Sequence, residues 1–116
     1  MEQDPINPYY GTDALASWEM LSFDEPNLSY EFNTLCFWKT PNGVFTAQDS
    51  GCSCPTPFED YCGNTPAEIE QKLERVGSIE QGERVFDAWN KNYDGGCHVD
   101  IFGRNRLTEW LKGALK

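Results

Sequence analysis

Residues Tyr30 to Trp38 carry a two-residue alternation that suits an extended strand. Tyr30, Phe32, Thr34, Cys36 and Trp38 fall on one side, and Glu31 and Asn33 on the other. At Leu35 and Phe37 the second side turns apolar as well, so the strand is expected to be covered on both faces at that end. Thr40-Pro41-Asn42-Gly43 reads as a turn, because Pro41 presets φ and Gly43 can take the positive φ a tight hairpin loop requires. Val44 to Gln48 should return as the antiparallel partner, giving a hairpin over residues 30–48. A lone hairpin is marginal in water, so this one must pack on something else.

The flanking segments supply candidates. Leu15 to Phe23 fits a strand, although Leu15, Trp18 and Leu21 would also share a helical face. Asp24-Glu25-Pro26-Asn27 makes a turn after it. Asp49 to Tyr61 holds Gly51, Pro55 and Pro57 and reads as a constrained irregular loop. Thr65-Pro66-Ala67-Glu68 is a capping box with Pro at the first helical position. Ile69, Leu73 and Val76 form one stripe behind it, and Gly77 ends it. Ser78-Ile79-Glu80-Gln81 reads as a second capping box, opening a helix that buries Val85, Phe86 and Trp89. Cys97 to Phe102 reads as a short edge strand, and Leu107, Trp110, Leu111, Ala114 and Leu115 mark a terminal helix.

The expected fold is therefore α+β: a small antiparallel sheet of two or three strands, with two to three C-terminal helices on one face. Residues 1–12, with Pro5, Pro8 and Gly11, read as an irregular arm that Tyr9 and Tyr10 can anchor. Residues 13–116 read as a single domain, and at 116 residues the chain is long enough to bury one core without disulfides.

Charge and cysteines narrow the function classes. A formal net charge of −10 repels nucleic-acid phosphates and anionic membranes, so direct nucleic-acid binding is not expected and a protein partner is favoured. No apolar run is long enough for a membrane span. Met1-Glu2-Gln3-Asp4-Pro5 lacks the positive charge and apolar segment of a signal peptide, so a cytoplasmic setting with reduced cysteines is expected. The five cysteines are odd in number, which suits a closed disulfide framework poorly.

Several constellations bear on chemistry. An extended Cys52-Ser53-Cys54 points both sulfurs to one side, and Cys62, Cys97 and His98 would complete a zinc set if the fold gathered them. The spacing lacks the doubled ligand pairs usual in structural zinc sites, and reduced thiols used as small apolar groups are the competing reading. A thiol enzyme or hydrolase would join Cys52 or Ser50 to His98 and Asp49 or Asp100, but no spacing supports that geometry, so no catalytic residue is assigned. Glu70 with Glu74, and Glu83 with Asp87, place like charges one helical turn apart. Such acidic faces suit a protein partner, and an ordinary solvated face is the alternative. The rigid loop is the other candidate contact surface, with Cys52, Pro55, Pro57 and Phe58 as its residues. A structural role for the same loop has Phe58 plugging the core while Asp49 or Ser50 bonds the loop's own amides.

The string Asp49-Ser50-Gly51-Cys52-Ser53-Cys54-Pro55-Thr56-Pro57-Phe58-Glu59-Asp60, with the aromatic strand Tyr30–Trp38 before it, resembles an uncharacterised family of small proteins from bacteriophages of actinobacteria. The likeness covers about residues 15 to 62. It implies a phage accessory protein working in the host cytoplasm, with no known activity and no catalytic residues to carry over. Binding of a host or phage protein is the expected function, with a zinc-binding domain or a small thiol enzyme as alternatives. No cofactor is expected unless zinc is held, and the oligomeric state is left open.

Overall fold

A computed structural model of the chain describes residues 8–9, 15–25, 31–52, 58, 65–91 and 101–115, with the side chains of Cys52 and Ile101 excepted. The order of elements is β1 (Glu19–Asp24), β2 (Glu31–Thr40), β3 (Gly43–Cys52), α1 (Pro66–Lys72), β4 (Glu74–Val76), α2 (Ile79–Asn90) and α3 (Ile101–Ala114). The four strands lie in the order β1-β2-β3-β4, all neighbours antiparallel. The fold is α+β, with four strands where two or three were expected.

The hairpin forms as the alternation predicts. β2 and β3 pair along their full length from Thr40↔Gly43 to Glu31↔Cys52. Gly43 takes φ +131, a conformation that L side chains rarely adopt. Both faces of β2 are covered, as the apolar turn at Leu35 and Phe37 implied. Leu35 and Phe37 join Phe23, Val44 and Val76 against Phe86, Trp89, Leu107 and Leu111 of α2 and α3. Cys36 and Trp38 join Phe45 against Ile69, Leu73 and Phe58, with Tyr9 and Trp18 packed at the side. The helices therefore lie on both faces of the sheet, α2 and α3 on one and α1 on the other, rather than all on one.

That division explains the largest departure in the helical half. Ile69, Leu73 and Val76 read as one helical stripe, yet the helix stops at Lys72, and Leu73 caps it in extended conformation. Ile69 and Leu73 face the Trp38 side of the sheet, while Val76 faces the Phe37 side. A chain that serves both faces must pass the sheet edge, and Glu74–Val76 does so as a strand beside Val44–Thr46. Asp49 to Cys52, expected as loop, instead continues β3 opposite Glu31–Thr34. The edge strand expected at Cys97–Phe102 is not found in its described part, because Ile101 and Phe102 open α3; residues 97–100 lie outside the described residues.

The helix signals otherwise hold. Thr65 and Glu68 form the reciprocal capping box. Ser78 accepts from the Gln81 N–H, but the Gln81 side chain reaches one residue further back than a capping box would. It accepts from the Gly77 N–H at 2.9 Å and donates to the Arg75 carbonyl at 2.8 Å, tying the end of β4 to the start of α2. Gly82 lets α2 approach its neighbours: a Cβ there would sit 2.5 Å from Leu111 Cδ1 and 3.4 Å from Val76 Cγ1.

Candidate functional site

The strands differ in length, and that difference leaves an edge. β3 has ten residues and β4 has three, so β4 covers only Val44, Phe45 and Thr46. β4 cannot begin earlier, because α1 runs to Lys72 and Leu73 caps it, so no strand residue precedes Glu74, which pairs with Thr46. Beyond Thr46, no strand pairs with the outer side of β3 among the described residues. Alternate N–H and C=O groups of a strand point to each side, so Ala47 to Cys52 presents such groups outward, although the Ser50 N–H donates to Asp49 Oδ1 at 3.0 Å.

Beneath this edge is a cleft of about 310 Å³, lined by Leu35, Thr46, Ala47, Gln48, Glu74, Val85, Ala88 and Trp89. Leu35 is part of its apolar lining from β2, while Val85, Ala88 and Trp89 line it from α2. Thr46 Oγ1 is already used, donating to the Cys36 carbonyl at 2.7 Å. Asn33 Oδ1 accepts from both Gln48 Nε2 and Trp89 Nε1, each at 3.0 Å, which fixes the indole against the sheet. Glu74 is the one charged residue lining the cleft among the described residues, and it is exposed. A preformed apolar slot beside an open strand edge is the arrangement by which sheets accept an added strand and read one of its side chains.

The residues singled out from the sequence are placed as follows. Phe58 is 2% exposed, with its ring edge-on to Trp38 at 5.3 Å between centroids, so it serves the core and offers no outer contact. Its N–H donates to Asp49 Oδ2 at 2.6 Å, and Asp49 Oδ1 accepts from the Ser50 N–H, which is the structural role expected of that carboxylate. Glu70 accepts from Thr40 Oγ1 and Asn42 Nδ2, bracing the hairpin turn. Glu83 and Asp87 share Arg104 at 3.3 and 3.0 Å, and Glu83 also accepts from Thr108, so this pair ties α2 to α3. Of the four acids, Glu74 alone stands at the cleft, in β4 rather than on a helix.

Cys52 ends β3, while Cys54, Pro55, Pro57, Cys62, Cys97, His98 and Asp100 lie outside the described residues. Among the described residues no group of three or more His, Cys, Asp or Glu gathers in a metal-holding arrangement. Cys36, by contrast, is fully buried, and burial first and the Asp24 carboxylate second push its thiol well above the ordinary range. It is held neutral and out of solvent. No described helix is long and apolar enough to cross a membrane.

The cleft itself was not visible in the sequence. Its residues come from four elements, and its existence depends on β4 starting only at Glu74. Trp89 and Glu74 each carried a signal, one as a buried helix face and one as an acid, but nothing linked them.

Neither a curated protein nor a solved structure matches the chain. A family model does match, over residues 7–101, which takes in all four strands, α1 and α2 and so extends well past the 15–62 stretch of the phage-family likeness. By that match the chain belongs to the family described as a domain of unknown function (DUF7574).

Proposed function

We propose that this chain is a small phage accessory protein that acts in the host cytoplasm by binding a host or phage protein along the outer edge of β3. The observation that carries the reading is the length mismatch between β3 and β4, which leaves Ala47–Cys52 without a strand neighbour among the described residues and opens a cleft beside it. A strand added there would gain main-chain hydrogen bonds from the edge and specificity from the cleft. The net charge of −10 favours a basic partner surface and works against nucleic acid. The phage setting rests on the likeness of the Asp49–Asp60 string and the aromatic strand before it.

The test places a photo-reactive side chain at Gln48, on the edge, and in a separate variant at Glu109, an exposed position of α3. Each variant is irradiated in actinobacterial host lysate. Edge docking predicts one protein cross-linked from Gln48 and not from Glu109. Cross-linking from Glu109 alone, or from neither position, overturns the proposal.

A further inference from the structure

We infer that the cleft takes an arginine side chain, carried by a partner segment that lies extended along Ala47–Cys52. This inference rests on the edge-docking reading and names the occupant that the cleft selects.

The lining has two parts. Leu35, Val85 and Ala88 supply an apolar wall suited to an aliphatic stem, and Trp89 adds an indole held in place through Asn33. Glu74 supplies the charge at this site, with no lysine or arginine among the described lining residues. Arginine matches both parts. Its stem covers apolar surface while its planar head pairs with a carboxylate and is attracted to an indole. A carboxylate side chain would meet Glu74 as a like charge in a partly dry slot. A second copy of this chain is disfavoured on the same ground, since two chains of net charge −10 repel. The volume of about 310 Å³ sits at the floor of the range for small-molecule pockets, which suits one side chain anchored by a strand outside.

Gln48 and Glu74 place the recognition in register. Thr46 faces Glu74 in the last pair that β4 makes, and Gln48, two residues on, lies on the same face of the sheet beyond it. An added strand would therefore take up the edge beyond the Glu74 end of β4, and its arginine would enter between Glu74 and Trp89.

The probe is a synthetic heptapeptide of alternating Thr and Val with a central Arg, titrated into isotope-labelled full-length protein and followed by amide and indole chemical shifts. Two further peptides carry citrulline, the neutral isostere, or Glu at the centre. The expected result is saturable shifts at Ala47–Gly51 and at the Trp89 indole N–H with the Arg peptide. Citrulline should weaken binding about tenfold, and Glu should abolish it. Glu74→Gln should weaken the Arg peptide by a similar factor and leave the citrulline peptide unchanged, as coupled partners do. The citrulline arm tests the charge even if Glu74→Gln disturbs the edge. Equal binding of the Arg and citrulline peptides at the edge overturns the arginine assignment and leaves edge docking standing. Absence of shifts at Ala47–Gly51 with all three peptides overturns both.

Discussion

The Phe58 backbone N–H donates to the Asp49 carboxylate at 2.6 Å, joining a buried ring to the far part of β3 across nine residues of sequence. Phe58 holds φ at +60, a region costly for a bulky side chain, by about 1–3 kcal/mol. Its ring repays that by burial against Trp38, whose indole N–H in turn donates to the Pro8 carbonyl at 2.9 Å. Asp49→Ala removes the charged acceptor of this amide. A loss of about 2 kcal/mol is expected in urea unfolding, and a loss within experimental error would show that the bond contributes nothing.

Gly82 and Gly113 make a matched pair of glycines in helices. Glycine to alanine in a helix interior gains up to about 1 kcal/mol of propensity. At Gly113 a Cβ meets nothing within 4 Å, so Gly113→Ala should stabilise, by a few tenths to about 1 kcal/mol near a helix end. At Gly82 the same Cβ would lie 2.5 Å from Leu111 Cδ1, inside a core that overpacking disturbs by about 1–3 kcal/mol. Gly82→Ala should therefore destabilise on balance, by about 1 kcal/mol. Opposite signs in thermal unfolding support this packing of α2 on α3, and the same sign for both contradicts it.

Cys36 makes stability fall at alkaline pH. Its folded thiol keeps its proton after the unfolded chain has released it, because burial and Asp24 oppose the thiolate. The contribution is whole below the unfolded thiol's value of about 8.5. It is lost above that, at up to about 1.4 kcal/mol per pH unit, since the native state then binds the extra proton. Wild-type protein should lose more stability between pH 8 and pH 10 than Cys36→Ala does. Equal losses would place the thiol in contact with solvent.

The hairpin was legible because its alternation runs over nine residues and its turn carries both Pro41 and Gly43. The apolar shift at Leu35 and Phe37 even announced the second covered face. The capping box at Thr65 and the N-cap at Ser78 were equally plain, since capping is local chemistry, although Gln81 closes on Gly77 rather than on Ser78. What failed was non-local. Val76 keeps helical spacing from Ile69 and Leu73 but belongs to the opposite face of the sheet, and only the path of the chain past β4 decides that. A three-residue strand is too short for a two-residue period to show. Gly51 looked like a loop residue, yet in β3 it lies across from Phe32, where a Cβ would rest in ordinary contact with the ring, so the strand does not depend on a glycine there. The partners of the acids were hidden for a related reason: spacing along a helix cannot say that Arg104 pairs with Glu83 and Asp87.

Amide hydrogen exchange along β3 of the protein alone tests the open edge most directly. Amides of Val44–Thr46 lie between β2 and β4 and should be protected throughout. From Ala47 to Gly51, leaving aside the Ser50 amide, which donates to Asp49 Oδ1, protection should alternate: amides aimed at β2 exchange slowly, and those aimed outward exchange fast. Uniform protection from Val44 to Gly51 would mean that another part of the chain already occupies the edge, and docking along β3 would be ruled out.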